Sequence, residues 1–287
     1  MSRLPASDGR ARPVRRRRAA AVALTAGVVW LAGNETGCAG GSGTPVPPLA
    51  LLVPAYVQPS SPAWPRLVAA AGGIRAVIVN PDSGPGPVRS RTFAARYRAL
   101  QAAGIPILGY VPTDFGHRPL SAVVSDIRRY ERWYRTDGYF LDEGAIRASA
   151  LPYYRRVAAA ARGREIVMNP AAVPARGYLG IASTIVTFEG NETAYRAARM
   201  PAWTSRLPAS RFSDVVYGVA RGHLAAVLAI ARRRNIGSVY VTDAAGSNPY
   251  GRLPSYFRRE LALLGSPPAV TRRAASTVGS ATVARAP

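Results

Sequence analysis

The run Gly138-Tyr139-Phe140-Leu141-Asp142-Glu143 is apolar until it stops on two adjacent carboxylates. Its length and lack of polar alternation suit a parallel strand buried on both faces, whose functional residues lie at its C-terminal limit. The same design recurs on either side. Strand-like runs are expected at Leu49–Val57, Ala76–Asn80, Ile107–Val111, Gly138–Asp142, Glu165–Asn169, Ser183–Phe188, Phe212–Val219 and Ser238–Thr242. Helical faces lie between them: Phe93, Tyr97 and Leu100; Val123, Ile127, Tyr130 and Tyr134; Leu224, Val227, Leu228 and Ala231. Pro174 and Gly177 interrupt the segment before the sixth strand, and Pro201 and Pro208 the segment before the seventh, so both read as irregular. Eight strands in strand–helix order predict an α/β fold, a single-domain (β/α)8 TIM barrel. No glycine-rich dinucleotide or phosphate loop follows the first strand, which argues against an open nucleotide-binding sheet.

Around this body the 287-residue chain, 48% hydrophobic, carries distinctive ends. Arg15-Arg16-Arg17-Arg18 precedes an apolar stretch from Ala19 to Gly33, the order of an export signal and short for a membrane span. Residues 1–36 are therefore expected to be an export signal or N-terminal anchor. Residues 37–48 read as a flexible linker, 49–264 as the barrel and 265–287 as a flexible tail. The expected location is secreted or attached to the cell envelope. Cys38, the sole cysteine, stands where a lipoprotein's acylated cysteine would, although Glu35 occupies a position that normally holds an aliphatic residue. One cysteine and two distant histidines, His117 and His223, leave no metal-ligand set, so neither metal nor cofactor is expected.

The net charge is +23, and every basic residue is arginine. Seven arginines in 1–48 and three in the tail account for part of it, leaving +15 on the body. A GC-rich coding bias explains most of this excess, and attraction to an anionic cell envelope is its functional reading. No basic motif interleaved with aromatics is present, so nucleic acid is not expected as a partner. The chain is expected to be monomeric.

Read at their C-terminal limits, the strands present Tyr56, Asn80, Tyr110, Asp142-Glu143, Asn169, Glu189, Tyr217 and Asp243. A barrel gathers such positions at one mouth. Only 15 acidic residues exist, so four of them at strand ends carry information. Glycoside hydrolysis needs two carboxyl groups flanking a bond, one protonated and one ionised, and close carboxylates raise each other's proton affinity. Asp142 and Glu143 cannot both face inward unless the strand has ended between them, so one faces substrate and the other supports it. Glu189 is the cross-barrel partner. Tyr56, Tyr110, Phe115, Tyr217 and Tyr250 offer faces for sugar rings, and Asn80, Asn169 and Asn248 offer hydrogen bonds to hydroxyl or acetamido groups.

Several motifs also resemble those of the spherulin-4-like family. They are Leu51-Leu52-Val53-Pro54-Ala55-Tyr56, the run Val77-Ile78-Val79-Asn80-Pro81-Asp82-Ser83-Gly84-Pro85-Gly86, and Leu108-Gly109-Tyr110-Val111. Asp137 to Glu143, Met168-Asn169-Pro170, Phe188-Glu189 and Thr242-Asp243 complete them, in the family's order from Leu49 to Leu264. The resemblance implies glycoside hydrolase family 135, barrels acting within N-acetylgalactosamine-containing polysaccharides such as galactosaminogalactan. It makes Asp142 the nucleophile or oxocarbenium stabiliser, Glu189 the acid/base and Glu143 an essential neighbour. Gly144-Ala145-Ile146-Arg147 departs from the aromatic or proline residues expected after Glu143.

The expected function is thus an exported, endo-acting glycoside hydrolase of a galactosamine-containing exopolysaccharide. The competing readings are an inactive carbohydrate-binding envelope protein on the same barrel and a polyanion-binding protein. The body's positive charge would repel a deacetylated, cationic polymer within a Debye length of about 8 Å, which favours acetylated stretches as substrate.

Overall fold

In the computed structural model, residues 49–265 are described; the expected export signal, the linker and nearly all of the tail lie outside them. Eight parallel strands close into a barrel in sequence order. They are β1 (Ala50–Ala55), β2 (Ile74–Val79), β3 (Ile107–Pro112), β4 (Gly138–Asp142), β5 (Glu165–Met168), β6 (Thr184–Asn191), β7 (Phe212–Tyr217) and β8 (Ser238–Val241). Closure is made by Ala50 and Leu51 of β1, which pair with Ser238 and Val239 of β8. The outer layer holds α1 (Ala63–Val68), α2 (Arg91–Ala102), α3 (Leu120–Tyr134), α4 (Leu151–Ala160), α5 (Glu192–Ala197), α6 (Leu224–Arg233) and α7 (Phe257–Leu264). Between β5 and β6 a 3-10 turn at Arg176–Gly180 replaces the helix, where Pro174 and Gly177 forecast irregularity. After α5, Pro201 and Pro208 each stand just before a short 3-10 turn, again as their fixed backbone requires.

Helix boundaries follow local chemistry. The Ser90 hydroxyl accepts the Phe93 amide at the start of α2, and the Asn191 side chain accepts the Ala194 amide at the start of α5. Helix α3 stops where Arg135 turns left-handed. The periodic faces are the buried ones: Val123, Ile127, Tyr130 and Tyr134 on α3, and Leu224, Val227, Leu228 and Ala231 on α6. Gly109 admits α3 against the sheet, because a Cβ there would stand 2.6 Å from the Tyr130 ring. That ring's hydroxyl donates to the Val79 carbonyl at 3.1 Å, so the packing leaves no buried phenol unsatisfied at this point.

Two register shifts depart from the expected strands. Strand β2 begins at Ile74 rather than Ala76, and pairing of β1 with β2 skips Arg75. Arg75 forms an ion pair with Glu165 of β5 and donates to Thr184 of β6 at 2.9 Å. Strands β2 and β5 are not neighbours, so this bond crosses the interior at the N-terminal end of the barrel. Strand β6 runs on to Asn191 instead of stopping at Phe188, with Val186 opposite Ser213 and Phe188 opposite Asp214. Thr187 is the extra residue of a bulge.

Candidate active site

The bulge determines where Glu189 points. Phe188 packs on Tyr195 of α5, with ring centroids 4.9 Å apart, so it faces the helical layer. Thr187 also faces outward, donating to the Asp214 carboxylate at 2.7 Å. With two consecutive residues on the outside, the next one, Glu189, turns into the barrel. Asp214 is completely buried and takes its second hydrogen bond from the Tyr195 hydroxyl at 2.9 Å. Burial pushes its carboxyl up to about 6. Thus Asp214, Thr187 and Tyr195 form a brace behind the bulge, and Glu189 is positioned by it.

Inside the mouth, Glu189 meets Asp142 through Asn169. One side-chain nitrogen of Asn169 donates to Asp142 at 2.7 Å and to Glu189 at 2.5 Å. Those two bonds hold the accepting oxygens within about 5 Å of each other. Tyr250 donates its hydroxyl to the other oxygen of Glu189, and Tyr110 hydrogen-bonds to Asp142. The phenols stay protonated: burial and the adjoining carboxylates raise Tyr250 and Tyr110 far above the ordinary range, and Tyr56, partly buried between them, rises with them. Tyr56 joins the other two edge-on, with ring centroids 5.5 Å from both Tyr110 and Tyr250. Burial raises the proton affinity of Asp142, and the charge of Glu189 raises it further. Among the described residues no arginine lies within ion-pair distance of either acid. Asp142 and Glu189 therefore face each other with neutral donors alone between and beside them.

Glu143 does not join them. It sits at φ 51° after the strand has ended, exposed, with its carboxylate accepting the Asp114 amide at 3.2 Å. Its carbonyl accepts the Phe115 amide at 2.7 Å and the Thr113 hydroxyl at 2.9 Å, tying the ends of β3 and β4 together. Asn80 caps its own loop by accepting the Gly84 amide at 2.8 Å. Burial raises the Asp243 carboxyl, but its hydrogen bonds with Ser255 and its pairing with Arg252 together hold it below the usual range. Asn248 accepts the Tyr250 amide at 3.1 Å and so sets the loop that delivers Tyr250 to Glu189. Tyr217, half-buried at the end of β7, lies near enough to Tyr250 to affect its ionisation. Of the expected residues, Tyr56, Tyr110, Asp142, Asn169, Glu189 and Tyr250 therefore form one cluster, while Asn80, Glu143, Asp243 and Asn248 serve the loops around it. Thr187 and Asp214 were not anticipated. The one sign of them in sequence is two polar residues, Thr184 and Thr187, whose spacing breaks strand alternation.

A closed (β/α)8 barrel with an acid pair bridged at its C-terminal mouth is the class of protein the geometry defines. The chain belongs to spherulation-specific family 4, which it matches over residues 50–264. It is 34% identical over 233 residues to spherulin-4 of Physarum polycephalum, covering 74% of this chain and 69% of that one. A crystal structure of Aspergillus clavatus Sph3 in complex with GalNAc superposes with a TM-score of 0.69 at 24% identity, covering 77% of this chain and 98% of that one. The same barrel is seen in both. A chitinase from Rhizomucor miehei is more distant, with a TM-score of 0.45 at 11% identity over 75% of this chain and 99% of that one.

Proposed function

We propose that the chain is a glycoside hydrolase that cleaves within an N-acetylgalactosamine-containing polysaccharide, using Asp142 and Glu189 as its catalytic carboxyl pair. The observation that carries this is the bridge itself. In a chain with 38 arginines, two acids are brought together at the barrel mouth and held by amide and phenol donors rather than by a cation. Among the structural acids, Asp126, Glu165 and Asp243 pair with arginine, whereas Asp214 and Glu260 stand singly on neutral donors; Asp142 and Glu189 alone are brought together as a pair. A pair that must hold one proton and one charge cannot have an arginine close by.

The spacing supports a retaining reaction, which calls for carboxyl groups about 5–5.5 Å apart, over an inverting one at about 6.5–9.5 Å. In the first half Glu189 gives its proton to the glycosidic oxygen as the bond to the anomeric carbon breaks. Asp142 then shares a pair of electrons with that carbon, as nucleophile or as the charge facing an oxocarbenium ion. In the second half Glu189 takes a proton from water, whose oxygen displaces Asp142. Burial, and after it the charge of Glu189, raises the proton affinity of Asp142, so its role as nucleophile requires that substrate binding leave it ionised. Asn169 stays bonded to both acids as charge moves between them. Tyr56, Tyr110 and Tyr250 supply ring faces for the sugar. The GalNAc held by Aspergillus clavatus Sph3, which shares this barrel, supports an amino-sugar polymer as substrate.

The test is incubation with acetylated and deacetylated galactosamine polymers, with reducing ends counted and products read by mass spectrometry. Fragments from the acetylated polymer, absent with Glu189→Gln, are the expected result. A chain that binds the polymer but releases no new ends from it would be a binding protein instead.

A further inference from the structure

A groove of about 700 Å3 opens beside the mouth, over the ends of β3, β4 and β5. Its lining includes Phe115, Ile146, Tyr153 and Pro170 as apolar surface, with His117 and Arg147 as its basic groups. It begins where the acid pair leaves off. Pro170 follows Asn169, and Gly144 and Ala145, which also line it, follow Asp142-Glu143 in the chain. Gly144 donates its amide to the Asn169 carbonyl at 2.8 Å, and a Cβ there would stand 2.8 Å from Met168, so groove and mouth share a wall.

Two independent features mark this groove as built for contact. Phe115 is 55% exposed and Ile146 47%, and only Val88 among the other large hydrophobic residues described is comparably open. Both therefore present apolar surface to solvent at one place, which folding alone does not favour. The backbone is also strained there. Eight described residues other than glycine have positive φ, and Asp114, Phe115, Glu143 and Ala171 cluster at this sector of the rim. Arg135, Arg162 and Asn235 instead lie just past helix ends, where a left-handed residue is an ordinary terminator. Strain of about 1–3 kcal/mol per residue persists only where neighbours enforce it. Here the Glu143 carbonyl holds the Phe115 amide, and the Glu143 carboxylate holds the Asp114 amide.

We infer that this groove is an outer sugar-binding subsite for neutral, N-acetylated hexosamine units of the polymer, with Phe115 as its stacking platform. The inference rests on the reading of the mouth as a polysaccharide-cleaving site and adds where the chain beyond the cleaved bond lies. Sugar rings present C–H faces to an aromatic ring, and an acetamido methyl finds partners in Ile146 and Pro170. Arg147 stands in the lining without a carboxylate in it, so a free ammonium of a deacetylated unit is repelled, whereas an acetamido group is accepted. The subsite thus selects units by charge at a distance from the reacting bond.

The experiment measures binding of N-acetylgalactosamine oligosaccharides and of their deacetylated counterparts to Glu189→Gln protein by calorimetry. In that background Phe115→Ala should weaken acetylated binding about tenfold, the loss expected for one aromatic contact of about 1.4 kcal/mol. Phe115→Trp should restore it, and Arg147→Glu should bring the deacetylated ligand closer in affinity to the acetylated one. In active protein, Phe115→Ala should cost kcat/KM on the polymer far more than on a single-sugar aryl glycoside. Unchanged affinity in both Phe115→Ala and Ile146→Ala, with thermal stability intact, overturns the subsite. Protein that cleaves polymer while these variants bind normally loses the subsite alone. Protein that cleaves nothing yet depends on Phe115 for binding loses the hydrolase reading and keeps the subsite.

Discussion

At the N-terminal end of the barrel Glu165 faces Arg75 across the interior, and Thr184 shares the guanidinium. At the C-terminal end Asp142 and Glu189 face each other across Asn169, with tyrosines as their other partners. Both arrangements join strands that are not neighbours, and both place acid groups inside a closed sheet. They differ in what answers the charge. The floor answers its acid with a cation, so the charge is neutralised in place. The mouth answers two acids with neutral donors only, which leaves their like charges unrelieved and costs stability. Stability and function thus divide between the two ends of one strand set, as barrels generally allow.

The sharpest way to break the comparison is to remove charge from the mouth without changing its shape. Asp142→Asn and Glu189→Gln should each lower kcat on a competent polysaccharide by about 10³-fold or more, with circular dichroism unchanged. Retention of a tenth of the activity in either would take that residue out of the chemistry. An activated leaving group separates the roles: its hydrolysis should survive Glu189→Gln better than Asp142→Asn.

A third acid tests whether lack of a cation alone defines a functional site. Glu260 on α7 is fully buried, accepts the Val241 amide at 2.9 Å, and is pushed up by burial to about 8. The folded protein therefore holds its proton through a range where the unfolded chain, near 4.5, has lost it. Folding stability should fall as pH rises from about 4.5 to 8, by roughly 5 kcal/mol if the whole shift is expressed. Glu260→Gln should flatten that slope in thermal melts and leave kcat alone. An unaltered slope would mean that Glu260 is ionised in the fold.

Removing the bridge should have a smaller effect than removing either acid. Asn169→Leu, which keeps the branched shape and loses both hydrogen bonds, should lower kcat about 10²-fold and shift the acidic limb of the pH–rate profile. A profile of unchanged shape would show that Asn169 does not couple the pair. At the floor the expected effect is smallest. Arg75→Met should cost about 1–2 kcal/mol in urea unfolding, since both partners are partly exposed, with no change in kcat. An equal loss of activity would contradict the division between the two ends.

The strand order and the mouth were legible because each strand ends its apolar run on a polar residue, and closure converts that pattern into position. Asp142, Asn169 and Glu189 could be read as strand-end residues, and the tyrosines as their surroundings. What could not be read was who bonds to whom. Nothing local tells that Asn169 bridges two acids while Asn80 caps its own loop, since each stands at the end of a strand and just before a proline. Asp243 looked like a fourth mouth acid, but Arg252, nine positions on, claims it. Arg75 and Glu165 are 90 residues apart and become partners only when the sheet closes. Glu143 shares its neighbour's chemistry and not its direction, because its left-handed backbone turns it toward the β3 loop.

The extra residue in β6 has a consequence for how this strand can vary. A strand keeps two interleaved ledgers, odd positions for one face and even for the other, and Thr187 switches which ledger is which. Below it the inward set is the one containing Thr184, which meets Arg75; above it the inward set contains Glu189. The strand is therefore out of phase with itself. Straightening β6 at its full length, so that Thr187 pairs instead of bulging, would restore perfect alternation and yield a smoother sheet. That smoother sheet would swing Glu189 against the helical layer and present Phe188 to the mouth.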